Sequence, residues 1–346
     1  MSSGRNGTPK SGATPWWASA VVYQIYPRSF ADSDGDGIGD LAGVESRLDH
    51  LVDLGVDVVW LSPVYRSPQD DAGYDISDYQ DIDPVYGTLA GFDALLAAVH
   101  DRGLKMVMDL VVNHTSDEHP WFAESRSSRN DPKRDWYWWR PARPGMRPGD
   151  PGAEPTNWGA AFSGPAWALD EKTGDYYLHV FSRKQPDLNW DNPEVEAAMH
   201  DVLRFWFGRG VDGLRLDAIS RIAKDPLLRD QKGAPRPHNE DWDTIHERLR
   251  GIRRVVDEYE DRMIVGEVAL HDLRRTVSYL RHGDQLHLAH NFLFAEQDWD
   301  AEGFRTSIDD FEAIADPESW PACSSPTTTS RERRRASGSA RRARSG

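Results

Sequence analysis

Carboxylates follow directly on two short apolar runs, and an arginine accompanies one of them. Gly213–Asp217 reads Gly-Leu-Arg-Leu-Asp, so Arg215 and Asp217 fall on the same side of an extended strand. The apolar run Met263–Gly266 is followed at once by Glu267. A buried carboxylate beside a guanidinium keeps a low pKa and stays ionised, as a nucleophile must. A second carboxyl whose negative charge is less stabilised by a neighbouring cation can stay protonated and act as an acid.

This pair of carboxyls predicts a specific chemistry. Two carboxyls about 5 Å apart cleave a glycosidic bond with retention, through a covalent glycosyl intermediate. For either motif taken alone, a structural Arg–Asp ion pair or an unrelated glutamate is the alternative. A third polar cluster, Asp109 with Asn113 and His114, ends another apolar run and completes three consecutive strand ends of this kind. Together they favour a glycoside hydrolase site.

The elements that would carry these residues alternate along the chain. Near-continuous apolar runs separated by amphipathic helices indicate parallel strands covered on both faces. Six such units favour a (β/α)8 TIM barrel, of the α/β class, over an open sheet, and functional side chains of such barrels lie at the C-terminal strand ends. The predicted strands are residues 21–26, 56–61, 105–112, 213–217, 263–266 and 285–292, with helices at 41–54 and 91–102.

The alternation is interrupted once and then stops. Residues 114–192 are rich in Trp, Pro, Gly and Asp without a helical period, which predicts an irregular subdomain inserted after strand three. The barrel is then formed by residues 16–113 and 193–320. Residues 1–15 and the basic tail 321–346 are predicted to be disordered, because their compositions cannot bury a core. Strands seven and eight are therefore expected to be missing, and the barrel incomplete at the C-terminus.

Composition limits the function classes. The chain has 346 residues with a formal net charge of −16, which argues against nucleic-acid and membrane-surface roles. Its one cysteine, Cys323, allows no internal disulfide and fits a reducing cytosol. No apolar run has the length of a signal peptide or a spanning helix. We therefore expect a cytoplasmic protein, with its oligomeric state left open.

Several motifs together resemble a known family. The matching stretches are residues 22–30, 109–114, 185–190, 210–217 and 265–267. They resemble the α-amylase family of glycoside hydrolases (family thirteen), in its α-glucosidase/oligo-1,6-glucosidase branch, and Gln-Pro-Asp-Leu-Asn-Trp at 185–190 is typical of that branch. The resemblance implies Asp217 as nucleophile and Glu267 as general acid/base. It also implies an exo-acting pocket for the non-reducing-end glucose of an oligosaccharide, lined by Asp71, Tyr74, His114, Phe162, Phe181, Gln185 and Arg215.

The residue after the nucleophile bears on linkage. A small residue such as Ala218 resembles the enzymes of this branch that prefer α-1,4 links, whereas valine resembles the α-1,6 specialists. One side chain against the +1 sugar changes which linkage fits by only about 1–3 kcal/mol. We therefore expect maltose-like substrates, with α-1,6 links left open. A glucosyl-transferring or isomerising relative and a non-catalytic carbohydrate-binding relative are the other interpretations.

An acidic loop near the N-terminus predicts a metal site. Oxygen-bearing residues alternate as in the first nine positions of an EF-hand loop, but Gly43 stands where that loop has its bidentate glutamate. The family resemblance implies structural Ca²⁺ here; Mg²⁺ or a metal-free acidic turn are the alternatives. The predicted ligands are Asp32, Asp34, Asp36, the carbonyl of Ile38, and Asp40.

One part of the family pattern is missing from the sequence. The family has a further catalytic carboxylate in an Asn-His-Asp run at the end of strand seven, and that run occurs nowhere in these residues. Codons for Trp-Phe-Leu-Ser-Asn-His-Asp that lose one guanine can be read as residues 323–329, Cys-Ser-Ser-Pro-Thr-Thr-Thr. We therefore expect a frameshift at Cys323 and an inactive chain as written; a genuine basic tail is the alternative.

Overall fold

The computed structural model describes residues 14–233, 236–317 and 319–323. The strands are β1 (Val22–Ile25), β2 (Val58–Leu61), β3 (Tyr65–Arg66), β4 (Asp78–Ile82), β5 (Lys105–Val111), β6 (Trp139–Arg140), β7 (Trp167–Asp170), β8 (Asp175–Leu178), β9 (Gly213–Asp217), β10 (Met263–Gly266), β11 (Leu288–His290) and β12 (Trp320–Ala322). The α-helices are α1 (Leu41–Glu45), α2 (Leu48–Asp53), α3 (Leu89–Asp101), α4 (Pro120–Ser125), α5 (Pro193–Arg209), α6 (Ile245–Val256), α7 (Leu273–Ser278), α8 (Phe292–Ala295) and α9 (Ala301–Glu312). Residues 1–13 and 324–346, which hold most of the two segments predicted to be disordered, lie outside the described residues.

The main sheet has seven parallel strands in the order β1-β2-β5-β9-β10-β11-β12. This is the arrangement of an incomplete (β/α) barrel, so the predicted fold class is confirmed. The prediction that strand seven is missing is wrong for its first residues, because β12 pairs in parallel with β11 through Leu288 and Trp320. The short run Trp-Pro-Ala offers little sequence signal for a strand.

Two other predicted elements differ in extent. The helix expected at 41–54 is two helices, since the backbone of Arg47 (φ −110°, ψ 2°) leaves the helical region between them. The strand expected at 285–292 is reduced to β11, and α8 begins directly after Asn291, whose side chain accepts a hydrogen bond from the Phe294 N–H. A capping side chain therefore ends that strand earlier than its apolar character suggests.

Successive side chains along each barrel strand point alternately into two different cores. Outward-facing residues pack under the helices in the larger core. Inward-facing residues near the N-terminal strand ends form a separate core, made of Val58, Val107, Met263, Val265 and Leu288, and Trp16 and Trp17 pack against it. Two residues further along the same inward faces the side chains become polar, as with Val107 followed by Asp109. The fold thus places an apolar floor beneath polar groups at the C-terminal strand ends.

The inserted segment is more regular than predicted. It contains α4 and a three-stranded antiparallel sheet in the order β6-β8-β7. A separate core of eight buried residues holds it together: Trp138, Ala153, Trp158, Ala166, Trp167, Tyr176, Leu178 and Val180. Its strands have only two to four residues, too short for a clear period in the sequence. Among the helices of the described residues, none is both long and apolar enough to cross a membrane.

Candidate active site

Arg215 lies at the centre of three carboxylates from neighbouring strands. Its Nη1 lies 2.6 Å from Asp109 Oδ1 and 2.6 Å from Asp217 Oδ1, and its Nη2 lies 3.0 Å from Glu267 Oε2. Strand register explains the meeting, because Arg215 pairs with Asp109 on one side and with Val265, two residues before Glu267, on the other. The structure therefore brings together the predicted nucleophile, acid/base and arginine.

The three carboxyls share one guanidinium, and their pKa values shift in different directions. Burial raises the pKa of Asp109 to about 6, against the opposing attraction of Arg215. Burial likewise raises the pKa of Asp217 well above its usual range. The pKa of Glu267 is lowered in spite of burial, because Arg215, the Ala218 N–H and a hydrogen bond with Asp217 stabilise its charge. The pKa of Asp217 is thus raised and that of Glu267 lowered, because a single guanidinium is divided among three carboxyls and compensates the burial of Asp217 only in part.

The backbone after Asp217 holds Glu267 in place. Ala218 has a left-handed conformation (φ 44°, ψ 37°), which residues other than glycine seldom adopt. Such a conformation costs of the order of 1–3 kcal/mol and persists where the surroundings impose it. In return, the Ala218 N–H donates to Glu267 Oε2 at 2.9 Å. The turn after one catalytic candidate thus positions the other.

The predicted glucose-binding residues lie in one connected group. Gln185 Nε2 donates to Asp71 Oδ2 at 2.8 Å and lies 3.0 Å from His114 Nε2. The Tyr74 hydroxyl donates to Asp109 Oδ2 at 3.1 Å, which joins the group to the carboxylates. Burial lowers the pKa of His114 to about 4, so its ring is neutral near pH 7. Neutral and charged hydrogen-bonding groups of this kind suit sugar hydroxyls.

Two aromatic residues from the insertion extend this group outward. The Phe181 ring centroid lies 5.2 Å from that of His114, and the Phe162 ring centroid lies 5.7 Å from that of Phe181. Phe162 is 54% exposed, so it lies on the surface of the site rather than within its buried part. The insertion therefore contributes two aromatic rings beside His114, and their role in lining a glucose pocket stays a prediction.

Sequence reasoning missed three residues of the site. Trp60 Nε1 donates to Asp109 Oδ2 at 3.3 Å, and its ring lies 5.6 Å from that of His290. Both residues occupy inward positions at strand ends, a signal that strand alternation could have given. Lys224 is fully buried, 2.9 Å from Asp187 Oδ2 and 3.0 Å from Asn113 Oδ1. Nothing in the sequence around Lys224 indicates a buried cation.

The acidic loop brings three of its predicted metal ligands together. Carboxylate oxygens of Asp32, Asp34 and Asp40 lie within 4.8 Å of one another. Ca²⁺ holds oxygens at about 2.3–2.6 Å, so oxygens around one ion lie up to ~5 Å apart, and the spacing fits. Asp36 stands apart from this group: its Oδ1 accepts from the Ile38 N–H at 2.7 Å. The role predicted for the Ile38 carbonyl stays a prediction.

Comparison with known proteins agrees with this geometry. The alpha amylase catalytic domain family matches residues 24–318. The chain is 54% identical to the oligo-1,6-glucosidase of Parageobacillus thermoglucosidasius over 261 residues, which cover 73% of this chain and 45% of that protein. It is 48% identical to the trehalose-6-phosphate hydrolase of Bacillus subtilis over 271 residues, covering 78% of this chain and 47% of that one.

A solved structure is also similar to this chain. The matches cover only part of each relative's length. The alpha-glucosyl transfer enzyme XgtA superposes with a TM-score of 0.85 at 42% identity, over 90% of this chain and 60% of that chain. The chain spans about half the length of the curated relatives it matches. With a family match over most of its length and the carboxylates assembled at the strand ends, the chain belongs to the alpha-amylase family of glycoside hydrolases, as its motifs predicted.

Proposed function

We propose that this site belongs to a retaining, exo-acting α-glucosidase that cleaves α-1,4-linked gluco-oligosaccharides such as maltose. The observation that carries the proposal is the contact of Arg215 with Asp109, Asp217 and Glu267 at three adjacent strand ends. Two carboxylates held by one guanidinium on neighbouring strands suit attack at an anomeric carbon from one and proton donation from the other.

The proposed mechanism needs one proton to move. Asp217 and Glu267 share a hydrogen bond, along which a proton can pass from Asp217 to Glu267. Ionised Asp217 then attacks the anomeric carbon, while Glu267 protonates the leaving glycosidic oxygen. Water, deprotonated by Glu267, hydrolyses the glycosyl-Asp217 ester and returns the proton. Arg215 remains beside all three carboxylates and limits their mutual repulsion.

Transfer to a sugar acceptor is the second candidate reaction. The likeness to XgtA favours it, because that structure is described as an alpha-glucosyl transfer enzyme. Both reactions pass through the same glycosyl-Asp217 intermediate. In hydrolysis water attacks it, and in transfer a sugar hydroxyl attacks it. Ala218, with its small side chain beside Asp217, supports the α-1,4 preference in either case.

We expect glucose-shaped ligands to bind this chain without turnover of p-nitrophenyl α-glucoside, because the Asn-His-Asp run is not in its sequence. Calorimetry should show that 1-deoxynojirimycin, which has the glucose configuration, binds at least about tenfold more tightly than its C4 epimer. Asp71→Asn should weaken that binding by about tenfold, the value of a hydrogen bond to a charged group. Asp70→Asn is the matched control, since Asp70 Oδ2 accepts from Ser182 Oγ instead.

Equal affinity for the two epimers would contradict the glucose-binding site. Clear release of nitrophenol by the chain would instead contradict the expected inactivity, and the anomer formed first would then test retention directly. Loss of binding in Asp70→Asn as large as in Asp71→Asn would contradict the assignment of Asp71.

Structural Ca²⁺ in the acidic loop is a further part of the proposal. We expect millimolar CaCl₂ to raise the unfolding temperature of the chain, and Asp34→Asn to reduce that rise, because each carboxylate lost weakens a hard-cation site. Asp34 is the better choice than Asp40, whose Oδ1 caps α1 through the Gly43 N–H. Differential scanning fluorimetry with CaCl₂ against MgCl₂ gives the measurement. No calcium-dependent rise would favour a metal-free acidic turn.

A further inference from the structure

Asp75 is a buried carboxylate without a cationic partner. Its side chain is fully buried, and it forms no ion pair with a Lys or Arg of the described residues. Its Oδ1 accepts from Ser67 Oγ at 2.9 Å and from the Asp71 N–H at 3.0 Å, and its Oδ2 accepts from the Asp70 N–H at 2.8 Å. A charge buried in this way is costly, and it is retained where its hydrogen bonds hold a particular local structure.

The loop that Asp75 closes has a strained backbone. Gln69 (φ 64°) and Ala72 (φ 52°) both lie in the left-handed region, which residues other than glycine seldom adopt. The Tyr74 N–H donates to the Asp71 carbonyl at 2.9 Å, so the chain turns back on itself here. Strained conformations of this kind persist only where surrounding contacts impose them. The two adjacent N–H groups that Asp75 holds lie between the two strained residues.

The path of this loop decides which of two identical side chains faces the candidate glucose site. Asp71 Oδ2 accepts from Gln185 Nε2 at 2.8 Å, whereas Asp70 Oδ2 accepts from Ser182 Oγ at 2.6 Å. Because Asp70 and Asp71 have the same side-chain chemistry, only the backbone separates their roles. A shift of the backbone would turn Asp71 away from Gln185.

We propose that Asp75 is a positioning residue of the glucose site: by holding the N–H groups of Asp70 and Asp71, it keeps the carboxylate of Asp71 beside Gln185. Since Asp75 is fully buried, it acts through the backbone of Asp71 and not on the sugar itself. The inference rests on the proposed function, because it requires that Asp71 contacts the bound glucose.

An electrostatic role suits Asp75 less well. Burial raises the pKa of Asp71, its hydrogen bond with Gln185 lowers it, and the negative charges of Asp75 and Asp70 raise it further. Asp75 therefore makes the ionisation of Asp71 harder instead of easier. What Asp75 contributes to the site is then its three hydrogen bonds, which hold the loop.

The test is calorimetry of 1-deoxynojirimycin binding to the full chain with Asp75→Asn. Asparagine offers one acceptor oxygen to two backbone N–H groups, so one of them loses its partner. We expect binding to weaken about three- to tenfold, and no more than in Asp71→Asn, because the effect passes through Asp71. Asp170→Asn is the matched control and should leave binding unchanged: Asp170 is also fully buried and accepts from the Thr173 N–H and Oγ1, but in the turn between β7 and β8.

A double-mutant cycle separates positioning from a general loss of structure. In the Asp71→Asn background, Asp75→Asn should weaken binding less than about twofold, because the carboxylate that it positions is already gone. Ser67→Ala is the milder variant to use where Asp75→Asn does not fold. It removes one donor to Asp75 and should weaken binding about two- to threefold, again only when the Asp71 carboxylate is present.

Unchanged affinity in Asp75→Asn would overturn the inference, as would an equal loss with and without the Asp71 carboxylate. An equal loss in Asp170→Asn would overturn it too, because any buried carboxylate would then have the same effect. Failure of the proposed function has a different signature: the unaltered chain would bind 1-deoxynojirimycin and its C4 epimer equally, which would overturn the inference together with that function.

Discussion

Replacing Lys224 with methionine should lower the free energy of unfolding by about 3–5 kcal/mol, the cost of leaving a buried charge without its partner. The side chains of Lys224 and Asp187 are both fully buried, and their charged atoms lie 2.9 Å apart. Lys224 Nζ also donates to Asn113 Oδ1 at 3.0 Å, so the change leaves an amide oxygen unsatisfied as well. Urea unfolding followed by tryptophan fluorescence measures the effect.

A second lysine provides the matched control. Lys105 Nζ lies 3.0 Å from Asp212 Oδ1, but its side chain is 32% exposed, and Asp212 keeps His100 as a second side-chain partner, with Nε2 2.7 Å from Oδ2. Lys105→Met should therefore cost no more than about 1 kcal/mol. Adding Asp187→Leu to Lys224→Met should recover part of the loss, because the lone charge is removed. Similar losses in the free energy of unfolding for Lys224→Met and Lys105→Met would contradict the greater contribution expected of the buried Lys224.

Acidification from pH 7.5 to pH 5 should destabilise the fold more than its surface charges explain. Burial lowers the pKa of His114 and His290 to about 4 and that of His119 and His287 to about 3. His119 Nδ1 accepts from the Trp121 N–H at 3.1 Å, and His287 Nδ1 accepts from the Ile264 N–H at 3.1 Å. Rings that accept hydrogen bonds in this way are held neutral.

The direction of this change in stability depends on whether the folded or the unfolded chain binds protons at the higher pH. In the unfolded chain these histidines titrate near pH 6.5, so between pH 6.5 and about 4 the unfolded state holds more protons and stability falls as pH falls. Asp109 and Asp217 act in the opposite direction, because their raised pKa values let the folded state bind protons first. Burial also lowers the pKa of His179 and His200 and raises that of Asp71 and Asp117, so six histidines stand against four carboxyls and the net effect is a loss of stability as the pH falls.

Urea unfolding at pH 7.5, 6.0 and 5.0 gives this slope. His119→Gln should reduce it by about 1.4 kcal/mol per pH unit, one proton's share. Its glutamine oxygen can still accept from the Trp121 N–H, so the pH 7.5 value separates lost packing from lost titration. An unchanged slope, or stability that rises as the pH falls, would contradict the prediction.

Sequence reasoning predicted the elements whose signal is local. β9 and β10 lie where the apolar runs placed them, and the meeting of Asp217 with Glu267 followed from strand ends in a parallel sheet. β12 escaped prediction because three residues carry no period, and its place depends on pairing with β11. Register between distant strands is set by the whole sheet, which no local pattern records.

The sequence predicted which residues meet at these strand ends better than it predicted how their charges interact. Arg215 was expected to pair with Asp217, but it also contacts Asp109 and Glu267, so its charge is divided among three carboxyls. Lys224 could not be anticipated, since its partner Asp187 comes from the inserted segment. Contacts of one residue with several partners that are distant in sequence arise only when separate parts of the chain pack together.

The bond between Ala218 and Glu267 has a consequence for how this site tolerates change. Glu267 is held by a backbone N–H, which nineteen of the twenty amino acids possess. The side chain at position 218 can therefore vary without removing the N–H that holds Glu267, and proline alone removes the donor. The proposed linkage preference would then depend on the side chain of residue 218, and the placement of the proposed acid/base on its backbone N–H. A laboratory library at position 218 could explore substrate range while the placement of Glu267 stays as it is.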